Sequence, residues 1–218
     1  MCSLTRGLQS HFLGVVPTAL DEIWLEGSHG EPLRWHLAVG VLFDMLNEGL
    51  SPPIPWQVTV HFSSFPEDRL MRLSGLEAVK SQFMSALKEA NFLKFGDGNK
   101  VMSLSRQDQD SLWLSISAGE GGLQQFWEAG DKLLGDLAQL KSLAFRVFPG
   151  PNSAFLQRPL RPLNDDGTPK TLGQALEALG FATKLPKIHG ITVPLESTLM
   201  DVQATLQHCD NWVYVCLT

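Results

Sequence analysis

A cysteine next to a histidine is the first pair of residues here that could do chemistry. His208 precedes Cys209, and a thiol paired with an imidazole is the nucleophile of a thiol hydrolase. Adjacent side chains on one element diverge, whereas a nucleophile needs its base converging on it within hydrogen-bond reach. Cys209 therefore reads as a partly buried thiol beside a terminal strand, with a Cys209-dependent hydrolase as the alternative. Cys216, inside an apolar run, reads as core. Gly96-Asp97-Gly98-Asn99-Lys100 lacks the spacing of a phosphate loop and reads as a helix-breaking turn. Ser117-Ala118-Gly119-Glu120-Gly121-Gly122 lacks G-x-S-x-G and reads as a linker. The six histidines (His11, His29, His36, His61, His189 and His208) form no H-E-x-x-H or other ligand pair, so no metal and no cofactor are expected. His61 and His189 fall in strand patterns and read as hydrogen-bonded structural side chains.

Composition narrows the classes further. The 218 residues are 44% hydrophobic and 18% charged, an ordinary globular mix that argues against wholesale disorder. The formal charge of −6 excludes a global basic field for nucleic acid. No apolar run reaches the roughly 18 residues that a membrane span needs. Three cysteines (Cys2, Cys209 and Cys216) without metal spacing point to a reducing compartment and a cytoplasmic protein.

The elements that must position any site fall into three stretches: residues 1–73, 74–141 and 142–218. In the first, residues 22–25 form a short strand, 37–46 a helix ended by Gly49 and Pro52-Pro53, and 56–62 a strand. Trp56, Val58, Val60 and Phe62 alternate there with Gln57, Thr59 and His61. In the second, Leu76, Val79, Phe83, Leu87 and Ala90 recur at helical spacing, which predicts a helix over 76–93. Further helices are predicted over 105–116 and 122–137, with Trp113, Phe126 and Trp127 as the main packing residues.

The third stretch returns to strands, over 143–148, 154–160, 187–193 and 212–217. A helix opens at the capping box Thr171/Gln174 and closes at Gly180, and a short helix carries Leu199, Val202 and Leu206. The order hairpin, crossing helix, return strand is that of the ubiquitin-like β-grasp, an α+β layer. A ubiquitin-like donor ends in a flexible Gly-Gly tail, and Val215-Cys216-Leu217-Thr218 lies in a strand, so scaffold, receptor or acceptor roles remain. An acceptor needs an exposed lysine amine. On the 76–93 helix, Lys88 lies roughly 140° from the centre of the apolar face and Lys80 about 60°. Periodicity alone leaves every exposed lysine equal. Trp35, Trp113 and Trp127 read as core packing, with binding anchors as the alternative.

Blocks of this chain resemble the autophagy protein 5 family. They are Glu22-Ile23-Trp24-Leu25-Glu26, Pro32-Leu33-Arg34-Trp35-His36, Gly40-Val41-Leu42-Phe43-Asp44-Met45-Leu46, Pro55-Trp56-Gln57-Val58-Thr59-Val60-His61-Phe62 and Ser64-Phe65-Pro66. The match continues at Phe83-Met84-Ser85-Ala86-Leu87-Lys88-Glu89-Ala90, Gln125-Phe126-Trp127, Arg158-Pro159-Leu160-Arg161-Pro162, Asp166-Gly167, Thr171-Leu172-Gly173 and Ile188-His189-Gly190-Ile191. The resemblance implies two ubiquitin-like β-grasp domains, over 1–73 and 142–218, flanking a helix-rich domain over 74–141.

The resemblance also implies a function without catalysis. The family protein accepts autophagy protein 12 through an isopeptide bond on a lysine that follows F-M-S-x-x, which here is Lys88. With autophagy protein 16 bound as a helix in a groove, the conjugate acts like an E3 for lipidation of autophagy protein 8. The implied partners thus include E2-like enzymes and a peripheral membrane contact at the phagophore assembly site. The family pattern opens on a β-hairpin before its first helix. Only about 20 residues precede Glu22, so the first domain is expected to lack that hairpin, with residues 4–16 corresponding to the helix after it. A shortened, conjugation-incompetent interaction module is the alternative.

Overall fold

The computed structural model describes residues 22–47, 54–72, 75–117, 139–151 and 153–218. The N-terminal stretch where the family's hairpin is expected to be lacking, the helix expected over 4–16, and the helix expected over 122–137 with Phe126 and Trp127 lie outside these residues.

In the first segment, β1 (Trp24–Glu26) pairs antiparallel with β2 (Thr59–His61), in the register Trp24 to His61, Leu25 to Val60 and Glu26 to Thr59. The period-two run predicted a longer strand over 56–62. The ladder stops at three residues because its partner β1 has only three to offer. The paired side chains compensate locally: the Trp24 and His61 rings stack at 3.9 Å, and His61 Nε2 lies 2.7 Å from Glu26 Oε2. Helix α1 (Val39–Leu46) turns Val41, Leu42 and Met45 inward.

Helix α2 (Leu76–Phe95) is the longest described element, and it buries Val79, Ala86, Leu87 and Ala90 along one stripe. It ends at Gly96, whose φ of +81° is readily open only to glycine and whose N–H closes on Phe92 O at 2.7 Å. The sequence read Asn99 as part of the breaking turn, but it opens a one-turn helix α3 (Asn99–Met102). Helix α4 (Arg106–Ser117) follows, with Ser105 Oγ accepting from the Asp108 N–H at 3.0 Å at its start. Leu87, Val101 and Leu112 form the small core that joins the three helices.

The last segment holds a five-stranded sheet made from β3 (Leu143–Phe148), β4 (Leu156–Leu160), β5 (Pro186–Ile188), β6 (Ile191–Thr192) and β7 (Val213–Leu217). Its order is β4-β3-β7-β5-β6, with β3 and β7 parallel at the centre and the other pairs antiparallel. That is the β-grasp order. Helix α5 (Leu172–Ala178) crosses one face, opened by a complete capping box. The Gln174 N–H donates to Thr171 Oγ1 at 3.2 Å, and Gln174 Oε1 accepts from the Thr171 N–H at 2.9 Å. Helix α6 (Leu199–Leu206) leads back to β7.

Two sequence readings change here. The predicted strand over 187–193 is a hairpin, β5 and β6, turning at His189 and Gly190 with φ of +52° and +78°. His189 therefore sits in a tight turn of the primed type, and the adjacent glycine supplies its second positive φ. The sheet is also covered on both faces. Alternation sends Leu143, Phe145, Val147, Val213, Val215 and Leu217 toward α5. It sends Ala144, Phe148, Tyr214 and Cys216 into a second core with Leu25, Val41, Leu42, Met45, Ala86 and Ala90. Helices α1 and α2 thus supply the layer that the third segment lacks. Each large apolar side chain buried there contributes about 1.5–3 kcal/mol.

Candidate functional site

Helix α2 carries three lysines with three different fates. Lys80 is half-buried and ion-paired with Asp110 of α4. Lys94 is only 4% exposed, and its Nζ donates to Gln207 Oε1 at 2.9 Å. Burial pulls its pKa down to about 8, against a smaller upward pull from Asp210. Lys88 is exposed and forms no ion pair or side-chain hydrogen bond among the described residues. Its stem lies along the α2–α3 corner: a Cβ placed on Gly98 would sit 3.4 Å from Lys88 Cγ and 3.8 Å from Met102 Sδ. Exposed Phe92 lies one turn on from Lys88, and exposed Met102 shares the Gly98 corner with it. Such an amine can meet an incoming carbonyl carbon without first breaking another contact.

The far side of α2 is held by the sheet. Trp212 Nε1 donates to Ala86 O at 2.8 Å, and Arg146 Nη2 donates to Glu89 Oε2 at 2.8 Å. Further along, Ser142 Oγ donates to Leu93 O at 2.5 Å and the Lys141 N–H to Lys94 O at 2.7 Å. The Arg146 guanidinium is itself fixed, 4.0 Å over the Trp212 ring and bonded to Gln157 Oε1 at 3.0 Å.

All three segments meet at a groove of ≈ 390 Å³, whose walls include Trp35, Phe83, Trp113, Arg146, His208 and Tyr214. Trp35 and Trp113 are half-buried and line this groove, between the core and anchor readings that the sequence left open. Trp127 lies outside the described residues. A second concavity of ≈ 510 Å³, between the first segment and Pro151, is lined by His29, Arg34 and Arg69 among others.

Cys209 also borders the groove, in an environment that suppresses thiolate formation. Burial and the neighbouring Asp210 push its thiol up to about 11. Burial and His189 hold His208 down at about 4. The His208 ring stacks on His189 at 4.2 Å and meets Tyr214 edge-on at 4.9 Å. A thiol held protonated beside an imidazole stacked on other rings lacks the poise of a nucleophile with its base. Cys216 is buried as expected, with its thiol 3.7 Å from Val41 O and pushed up to about 12, chiefly by burial.

Sequence reasoning missed Lys94 and Arg146. Lys94 is four residues beyond Ala90 and seven beyond Leu87, squarely on the apolar stripe, so continuing the helical count would have exposed it as a buried lysine. Arg146 interrupts an otherwise apolar strand on the face opposite α5, which signals a partner above that face.

Comparison with known proteins agrees with this architecture. Three family models match in order: Autophagy protein ATG5, UblA domain, over residues 1–62; its alpha-helical bundle region over 76–136; and its UblB domain over 142–217. Autophagy protein 5 of Drosophila melanogaster is 31% identical over 199 residues, covering 88% of this chain and 72% of the relative. Its namesake in Aspergillus oryzae is 29% identical over 242 residues, covering 86% and 74%. The crystal structure of Kluyveromyces marxianus Atg5 matches with a TM-score of 0.76 at 25% identity, over 91% of this chain and 73% of that one. Two ubiquitin-like domains flank a helical region, in the family's order and with the family's sequence, and the chain belongs to the autophagy protein 5 family.

Proposed function

We propose that this chain is the acceptor of autophagy protein 12, joined through an isopeptide bond to Lys88. The conjugate with autophagy protein 16 then acts as an E3-like scaffold for lipidation of autophagy protein 8. The single observation that carries the reading is the position of Lys88: in the family's F-M-S-x-x-K pattern, and the α2 lysine that is both exposed and without a polar partner among the described residues. In the reaction the Lys88 nitrogen attacks the carbonyl carbon of a thioester. The carbon–sulfur bond breaks, the thiolate leaves, and the nitrogen gives up a proton. The chain lends no acid, base or nucleophile beyond this amine. It works as a non-catalytic subunit that holds partners together and raises their effective concentration.

The same reading divides the chain at residues 1–73, 74–141 and 142–218 and gives the groove to a helix of autophagy protein 16. Trp35, Phe83 and Trp113 line the groove and offer the apolar surface that the anchors of such a helix need. It places the protein in the cytoplasm, docked peripherally at the phagophore assembly site membrane. No helix among the described residues is long and apolar enough to cross a membrane.

The test is reconstitution with autophagy protein 12, its E1-like and E2-like enzymes and ATP, read by intact mass and peptide mapping. An adduct on Lys88, absent from Lys88→Arg at unchanged melting temperature, is the expected result. An adduct of unchanged yield in Lys88→Arg would overturn the assignment.

A further inference from the structure

We propose that Arg146 and Trp212, both from the second ubiquitin-like domain, are positioning residues for the acceptor lysine, acting through the rotation of helix α2. The proposal rests on Lys88 being the acceptor. Its carrier observation is that the two side chains grip α2 on either side of Lys88 in sequence. Trp212 Nε1 holds the carbonyl of Ala86, two residues before it, and Arg146 Nη2 holds the carboxylate of Glu89, one residue after it.

At about 100° per residue, Ala86 points roughly opposite to Lys88, and Glu89 lies about 100° round the helix. Two anchors three residues apart, one behind Lys88 and one at its flank, set the azimuth at which the amine emerges. That azimuth matters because the lever is long. With side chains, a helix has a radius of roughly 5–6 Å, so a rotation of about 10° moves the tip of a side chain by about 1 Å. A misplacement of about 1 Å between reacting groups can cost on the order of a hundredfold in rate.

The grip is built to resist rotation more than to add stability. The Glu89 side chain is 54% exposed, so its pair with Arg146 contributes about 1 kcal/mol or less. Arg146 is far less free. Its side chain is 12% exposed, its guanidinium lies 4.0 Å over the Trp212 ring, and Gln157 and the Tyr214 hydroxyl hold two of its other nitrogens at 3.0 Å and 3.4 Å. The fork therefore presents Nη2 in a set direction, and Glu89 must come to it. Trp212 is fully buried, so its indole N–H has one orientation. No other lysine of α2 has this mount: Lys80 points to α4 and Lys94 into the domain junction.

The experiment measures single-turnover transfer of autophagy protein 12 from its E2-like thioester to the full chain, over a range of acceptor concentrations. Glu89→Ala removes the acceptor of Arg146 at an exposed position, so the fold survives. It is expected to lower the maximal rate about tenfold with the half-saturating concentration unchanged. Glu89→Gln keeps an oxygen for Arg146 and is expected to restore the rate to within about twofold of the unaltered chain. Trp212→Phe keeps an aromatic ring under Arg146 but removes the indole donor together with part of the buried ring volume, so its rate is taken per folded chain, and on that basis it is expected to behave like Glu89→Ala. A merely structural role would reduce the fraction of active chain, and rescue would not follow the presence of an oxygen at position 89. Transfer by Glu89→Ala at the unaltered rate, while the unaltered chain is modified at Lys88, overturns the positioning role and leaves the acceptor reading standing. An unaltered chain that carries no adduct at Lys88 overturns both.

Discussion

Asp44, on helix α1, accepts a hydrogen bond through Oδ2 from the backbone N–H of Gly190 at 2.8 Å, across 146 positions of sequence. Asp44 is 2% exposed, and Gly190 is the second turn residue of the β5–β6 hairpin. One carboxylate thus ties the first ubiquitin-like domain to a tight turn of the second. Burial raises its pKa, with the Gly190 N–H, Lys187 and His189 pulling the other way.

Removing this carboxylate takes a charged acceptor away from the Gly190 N–H in a partly buried hydrogen bond. Asp44→Ala is expected to cost about 1–3 kcal/mol in urea unfolding. Asp44→Asn, which keeps an oxygen for Gly190, is expected to lose clearly less. Equal stability of the two variants would remove Asp44 as the tie.

His208 gives stability a slope on the acid side. Its folded pKa lies near 4, below the ordinary 6.5, so the unfolded chain takes up a proton first as pH falls. The stability linked to His208 is complete above pH 6.5 and lost as pH drops through about 4, a difference of about 3 kcal/mol. Unfolding free energies of the unaltered chain and of His208→Gln, measured from pH 7 to 4, should diverge by that amount. Parallel curves would show that His208 is not held neutral.

Lys94 acts on the alkaline side. Its pKa of about 8 in the fold lies below the ordinary 10.5, so between these values the unfolded chain holds the proton more firmly. The linked stability is absent below pH 8, grows as pH rises, and is complete above 10.5, by about 3 kcal/mol. Lys94→Met keeps the apolar stem and removes the proton. The difference between the two unfolding curves should therefore change steadily from pH 8 to 10.5. A constant difference would mean that Lys94 titrates like an exposed lysine.

The sequence made the repeating patterns legible and hid the contacts between segments. Helix α2 was readable because Leu76, Val79, Phe83, Leu87 and Ala90 share a face, and that count also put Lys88 in solvent. The start of α5 was readable because Thr171 and Gln174 satisfy each other locally. The β5–β6 hairpin was not. His189-Gly190 lacks the Asn-Gly or Asp-Gly signature of such turns, and Ile188 and Ile191 on either side read as one apolar run. Strand β2 was overextended because alternation reports a buried face, whereas the ladder length depends on a partner elsewhere. At the candidate site, Lys88 could be named from local spacing plus resemblance. The grip of Arg146 and Trp212 could not, since each reaches a residue dozens of positions away.

Strand β7 lies at the middle of its sheet, between β3 from the start of that domain and β5. A ribosome delivers Leu143 to Phe148 long before Val213 to Leu217, and until the later strand arrives neither central ladder can close. During that interval β3 offers an open edge and the apolar face of Leu143, Phe145 and Val147, the features by which chaperones select nascent chains. A premature stop codon between Phe148 and Val213 would make this state permanent. Such a product would lose Trp212 and the centre of the sheet together, and the cell would meet it as a substrate for degradation.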